Sequence, residues 1–183
     1  MAKRLLVVID PQNDFTHPEG NYATRHPGTR QIEATKAKIN QLLRFFGRHQ
    51  SVLVRSNYRP GQFGPGLSMC IPNTFGHEID ADIQVDATWT ILTKTEHSCF
   101  SSAAFLKFLT EERIDTLVLS GFLAEYCVRQ TATDALQLGY HVFVVADGIA
   151  TGDDVQYRKQ QVLAALKDSG AAIVDSGHFL RHE

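Results

Sequence analysis

Apolar and polar positions fall into blocks along this chain. Leu5 to Ile9 is a continuous apolar run rich in β-branched residues. Such a run reads as a strand buried on both faces, as in a parallel sheet. Thr29 to His49 follows, with Ile32, Ile39, Leu42, Leu43 and Phe46 recurring on one side; that period predicts an amphipathic helix. Ser51 to Asn57 reads as a second strand and Thr90 to Thr93 as a short third. Ser98 to Glu112 reads as a helix, with Phe105, Leu106, Phe108 and Leu109 as its apolar positions. Then come a strand over Thr116 to Leu119, a helix over Glu125 to Leu138 and a strand over His141 to Val145. A helix over Val155 to Asp168 and a last strand over Ala172 to Val174 complete the pattern. Strands alternating with helices of this length predict an α/β fold of mostly parallel strands. Right-handed crossovers then set helices on both faces. With no repeat and no linker, residues 1–183 read as one domain.

Arg59 to His77 breaks the rhythm with Pro60, Gly61, Gly64, Pro65, Gly66, Pro72 and Gly76. Long ordered loops in compact domains usually carry function or build interfaces; a plain surface insertion is the alternative reading.

Composition narrows the classes. The 183 residues are 43% hydrophobic with a net charge of −2, both signs being spread along the chain. That excludes the basic stripe of a nucleic-acid binder and a polybasic membrane patch. Cys70, Cys99 and Cys127 are odd in number and widely spaced. They form neither a disulfide framework nor a zinc motif, and they suit a reducing cytoplasm. The apolar run after Lys3 and Arg4 stops at Asp10, too short for a signal-peptide core. No stretch is long and apolar enough for a transmembrane helix.

In a parallel sheet, ligands bind beyond the carboxyl ends of the strands. Strand one ends at Asp10 and strand three at Lys94, and the strand over Thr116 to Leu119 leads through Gly121 to Cys127. An acid, an amine and a thiol are thus expected at one edge of the sheet. Three features would favour the Cys127 thiolate, the nucleophilic form. These are a helix N-terminus of about +0.5 charge, the Lys94 ammonium, and Asp10 as a base for the thiol proton. The residues alone leave each open: Cys127 as a buried core thiol, Asp10 as a turn cap, Lys94 as a solvated lysine.

The segments "LLVVIDPQNDF", "KTEHSCFSS" and "LVLSGFLAEYCVRQTATDALQLGYHVFVVADGIAT" resemble, in order, the three hallmark segments of the isochorismatase-like cysteine hydrolases. The likeness spans about Leu5 to Val174. It includes Asp10 with Gln12, Asn13, Asp14 and Phe15; Lys94 with Ser98 and Phe100; and Gly121 six residues before Cys127. The resemblance implies a three-layer αβα fold with a six-stranded, mostly parallel sheet. It implies Asp10, Lys94 and Cys127 as a catalytic triad and a cis peptide at Phe122–Leu123. The N–H groups of Leu123 and Cys127 would then form an oxyanion hole. It also implies a small-molecule amide, ureide or carbamoyl substrate, no cofactor, and a homo-oligomer.

Other members cleave the vinyl ether of isochorismate and often lack the cysteine, so Cys127 favours C–N hydrolysis here. Nicotinamidases of the family hold a divalent metal with an Asp-x-His pair and a further His after the second strand. Here that place reads "RSNYRPGQFG", where Asn57, Tyr58 and Arg59 offer no such set. His77 and His97 have no Asp-x-His beside them, so no metal is expected. Phe15, Tyr58, Phe63, His97 and Tyr126 flank the trio and are candidates for an aromatic wall around a small planar amide, ordinary packing being the alternative. Arg59 could hold a substrate carboxylate or stand as a surface arginine. A nucleotide- or flavin-binding module is disfavoured, because strand one runs into Asp10-Pro11-Gln12-Asn13 rather than a glycine-rich turn. An inactive scaffold is the remaining non-enzyme reading.

Overall fold

The structure is a computed structural model describing residues 3–181. Its strands are β1 (Arg4–Ile9), β2 (Ser51–Ser56), β3 (Ile91–Lys94), β4 (Thr116–Phe122), β5 (His141–Ala150) and β6 (Ala172–Val174). They form one six-stranded sheet in the order β3-β2-β1-β4-β5-β6, and every pairing is parallel. The α-helices are α1 (Asn13–Thr16), α2 (Arg30–Phe46), α3 (Ala103–Glu111), α4 (Arg129–Gln137), α5 (Gln156–Asp168) and α6 (Gly177–Leu180).

Alternate residues of β1 feed two cores. Leu5, Val7 and Ile9 pack with Phe105 and Leu109 of α3, Ala132 and Ala135 of α4, and Val162 and Leu166 of α5. Leu6 and Val8 pack with Ile32, Ile39 and Leu42 of α2 and Phe179 of α6. This explains why β1 is apolar at successive positions: it is covered on both faces, and each such side chain contributes about 1.5–3 kcal/mol by leaving water. Ala132 and Ala135 are small and fully buried, which lets α4 lie close to the sheet.

The element boundaries differ from the expected ones for identifiable reasons. β4 continues past Leu119 to Phe122, and β5 past Val145 to Ala150. Ser120 and Gly121 read as a break, yet both are buried in the strand. Gly121 pairs with Ile9 at φ +117°, where a Cβ would lie 2.1 Å from the Ile9 carbonyl oxygen, so only glycine fits. The register between β4 and β5 shifts at this point, and Ser120 Oγ donates to the Gly148 carbonyl at 2.6 Å. The helix expected over 98–112 is split: a 3₁₀ turn, Cys99–Ser101, precedes α3, and the Ser102 side chain caps α3 by accepting from Phe105 N. The helix expected over 125–138 opens with a π turn, Ala124–Val128, before α4. The second helix ends at Phe46 rather than His49, because Gly47 turns away at φ +66°. α1 and α6 were not expected; four residues carry no readable period. Among the described residues no helix is long and apolar enough to cross a membrane.

A buried charge cluster fastens the segment around residue 80 to α2, beside the turn that follows β1. Lys36 is 3% exposed, and its Nζ lies 3.1 Å from Glu33, 3.1 Å from Asp80 and 2.7 Å from Asp82. Asp80, equally buried, also accepts from Thr16 Oγ1 at 2.6 Å, and its backbone N–H donates to the Pro11 carbonyl at 2.9 Å. Burial alone would raise the Asp80 carboxyl. The hydrogen bonds from Thr16, the Asp82 backbone and Lys36 outweigh it and hold the group below the ordinary carboxylate range. Lys36→Met strands that carboxylate without its cation. Its urea midpoint should fall by the equivalent of about 3 kcal/mol with the slope unchanged. A midpoint like the wild type's would mean that the cluster adds nothing to stability.

Candidate active site

The strand order reverses direction at β1, whose neighbours β2 and β4 are both reached by crossovers, so the crevice beyond its carboxyl end is a switch point. Asp10 stands immediately after β1 in a left-handed conformation, φ +49°, with its N–H on the Val54 carbonyl at 2.8 Å. Non-glycine residues hold such a conformation only when their surroundings require it. Lys94 is the last residue of β3, and Cys127 lies in the π turn after β4; such turns are frequent at functional sites. The Phe122–Leu123 peptide is cis.

These three side chains meet. Lys94 and Asp10 are fully buried and Cys127 is 2% exposed. Lys94 Nζ lies 3.0 Å from Asp10 Oδ2 and 3.4 Å from Cys127 Sγ. It also donates to Ser56 Oγ (2.8 Å), Tyr58 Oη (3.0 Å) and the Glu96 carbonyl (3.0 Å). Ser56 Oγ in turn donates to Asp10 Oδ1 at 2.8 Å. Asp10 Oδ2, although ion-paired, accepts no hydrogen bond among the described residues. That oxygen is therefore the one left open to a thiol proton. Tyr58 Oη is 3.5 Å from Cys127 Sγ, and His97 Nδ1 is 3.7 Å from it. Gln12, fully buried, ties the end of β2 to the loop: Nε2 donates to the carbonyls of Ser56 (3.0 Å) and His77 (2.9 Å), and Oε1 accepts from Ser56 N (2.6 Å).

The electrostatics correct one expectation. Burial and then the Asp10 carboxylate push the Cys127 thiol well up, and the Lys94 ammonium recovers only part of this. Burial thus works against the thiolate that the helix terminus and Lys94 were expected to favour, because a site shielded from water penalises any new charge. Burial pulls Lys94 down, yet Asp10 and Cys127 hold it well above the ordinary lysine value. Burial, Asp10 and Cys127 raise Tyr58, so it stays a phenol. Cys99, pushed up to about 12 by burial, and Cys70, also raised by burial, are unreactive packing residues.

Burial and the Lys94 charge lower His97 below its unfolded value of 6.5, and burial with Arg55 does the same for His77. The unfolded chain therefore takes up these protons first. Their contribution to stability is whole above about pH 6.5 and declines as pH falls below it. The wild-type melting temperature should drop from pH 7 to pH 5, and drop less in His97→Gln. Equal drops in the two proteins would assign the acid sensitivity to other groups.

Above the sulfur opens a cavity of about 450 Å³, a size that suits a small ligand. Phe15, Tyr58, Phe63, His97 and Tyr126 all line it, with Leu123 and Cys127. Phe63 stacks on His97 (centroids 4.3 Å apart, planes at 15°), and Tyr58 meets Phe63 edge-on at 4.7 Å. The Arg59–His77 loop is part of this wall through Arg59 and Phe63. Among its pins to the rest of the chain are Asn21 Nδ2 on the Ser68 carbonyl (3.1 Å), Arg25 Nη2 on the Gly66 carbonyl (2.7 Å), Cys70 N on Asp14 Oδ2 (2.5 Å) and Gln62 Nε2 on the Thr95 carbonyl (2.6 Å). Sequence reasoning missed Ser56 and the wall formed by Tyr22, Arg25 and His26, and reached Gln12 only as part of the family likeness, without a role. Only the Gln after the Asp-Pro pair carried any signal.

The donors at the family's metal position do not fit a divalent ion. Asn57 Oδ1 is hydrogen-bonded to His77 Nε2 at 2.5 Å, and Arg55 adds positive charge beside that imidazole. Among the described residues no three His, Cys, Asp or Glu side chains converge, whereas such an ion needs several at once.

Fold and site together define a class, a three-layer α/β hydrolase. The Isochorismatase domain model matches residues 4–177, and the chain belongs to the isochorismatase family. It is 28% identical to a nicotinamidase of Escherichia coli (strain K12), over 81% of this chain and 83% of that one. It is 32% identical to an N-carbamoylsarcosine amidase of Arthrobacter sp, over 82% of this chain and 60% of that one. An isochorismatase-like hydrolase from Alkaliphilus metalliredigens superposes with a TM-score of 0.81 at 26% identity, covering 98% of this chain and 96% of the other.

Proposed function

We propose that this protein hydrolyses the C–N bond of a small amide, ureide or carbamoyl compound through a thioester on Cys127, without a metal ion. The observation that carries the reading is the contact of Asp10, Lys94 and Cys127 on the floor of an aromatic cavity. The amidase relatives support the reaction class.

The chemistry follows from the charge states. Substrate binding in the cavity sets its carbonyl carbon against Sγ, in surroundings that burial already shields from bulk water. Asp10 Oδ2 takes the thiol proton as Sγ forms its bond to carbon, so charge appears on sulfur only as it is consumed. The carbonyl oxygen becomes an oxyanion, and the N–H groups of Leu123 and Cys127 are its assigned donors. The Lys94 ammonium faces the Asp10 carboxylate throughout that transfer. Asp10 then gives the proton to the departing nitrogen, the C–N bond breaks, and a thioester remains on Cys127. Water attacks the thioester with Asp10 as base, and the released thiol recovers its proton. Phe63 and His97 present flat faces to a planar substrate.

The test is ammonia release across a panel of small amides and ureides, with and without chelator, using Cys127→Ala as control. Turnover by the wild type alone, surviving the chelator, is expected. Equal release by Cys127→Ala would overturn the thioester route. Activity lost to chelator and restored only by zinc or iron would overturn the metal-free reading.

A further inference from the structure

The cavity is lopsided in charge. Its lining includes two arginines, Arg25 and Arg59, and two histidines, His26 and His97, but no aspartate or glutamate. Among the described residues neither arginine has a carboxylate within ion-pair distance, whereas Arg30, Arg158 and Arg181 each have one; what sets Arg25 and Arg59 apart from the other unpaired arginines is that they line the cavity. Among the described residues the Arg59 guanidinium has no hydrogen-bond partner; its backbone N–H is engaged by Gln62 Oε1 at 3.1 Å. Arg25 spends one nitrogen on the Gly66 carbonyl, and the rest of its fork is uncommitted. The acid near this end, Asp154, stands outside the lining and is turned to His26, with Nδ1 3.1 Å from Oδ2. Tyr22 stacks on that imidazole at 4.4 Å and holds its plane. At the reacting end, by contrast, Lys94 is matched by Asp10. The unmatched positive charge thus belongs to the part of the wall contributed by Arg25 and Arg59.

We propose that Arg25 and Arg59 form an anion-recognising end of the pocket, so that the substrate is a small amide or ureide carrying a carboxylate remote from the scissile bond. This rests on the hydrolase reading above. A guanidinium fork matches a carboxylate with two parallel N–H bonds. Two unpaired forks beside an apolar wall favour an anion over its neutral isostere and draw it in from solution. Hydrolysis would then release ammonia or a carbamoyl fragment and leave the remote carboxylate unchanged.

Binding and turnover are measured separately to test this. Cys127→Ala protein is titrated calorimetrically with two matched pairs: succinamate against succinamide, and 3-carbamoylbenzoate against benzamide. The anion of at least one pair should bind about ten- to a hundredfold more tightly, and added salt should weaken that preference. Adding Arg59→Gln should remove most of the preference, and adding Arg25→Gln the remainder. Arg59 decides the matter, because its side chain holds no other part of the protein. Equal affinity within twofold for both pairs, a preference that survives both substitutions, or no binding of either anion would overturn the proposal. A preference for the anion with no ammonia released from any compound by the wild type would uphold the anion site and sink the hydrolase reading.

Discussion

Lys94→Met is expected to lose about 3–5 kcal/mol of stability and all measurable turnover. The ammonium is fully buried, and it is the cation held against the equally buried Asp10. Methionine fills similar volume but leaves Asp10 charged in a dry site, along with the hydroxyls of Ser56 and Tyr58 that accepted from Nζ. Urea unfolding reads the first loss and ammonia release the second. Combining Lys94→Met with Asp10→Asn removes both charges, so most of the stability should return while activity does not. A single variant as stable as the wild type would mean that the buried ion pair adds nothing to stability.

Cys127→Ser changes one buried atom and should leave the fold intact while lowering turnover at least roughly a thousandfold. Serine's hydroxyl is a far weaker acid than a thiol, and the surroundings that already raise the thiol would oppose an alkoxide more strongly. Asp10→Asn should cost a similar factor, since no other carboxylate pairs with Lys94 among the described residues. The double variant Asp10→Asn/Cys127→Ser should be no worse than the poorer single one, because the two residues act in one proton transfer. Losses that multiply in the double variant would instead show two independent contributions.

Much of this was legible in the chain itself. Residues covered on both faces must be apolar at every position, so the central strands announce themselves, and strand ends in a parallel sheet mark where chemistry converges. That logic reached Asp10, Lys94 and Cys127. The ends of β4 and β5 were not legible, because Gly121 and Gly148 sit inside strands that bend around the site and read as breaks. The π turn at Ala124–Val128 has the same apolar spacing as an ordinary helix start. Tyr22, Arg25 and His26 lie in a segment with no period, brought to the pocket by Asn21 and Arg25 bonding to loop carbonyls. The protonation state of Cys127 could not be read, because it depends on how deeply the three groups are buried together.

The same burial has a consequence for survival in oxidising conditions. Peroxide attacks thiolates, and sensor cysteines fall to it because they are low in pKa and exposed. Cys127 is 2% exposed, and burial with the Asp10 carboxylate raises its thiol. In the proposed mechanism it becomes nucleophilic only when a substrate is present to accept the new bond. A site built this way keeps its sulfur off the oxidation ladder between turnovers, and peroxide should inactivate the resting protein slowly.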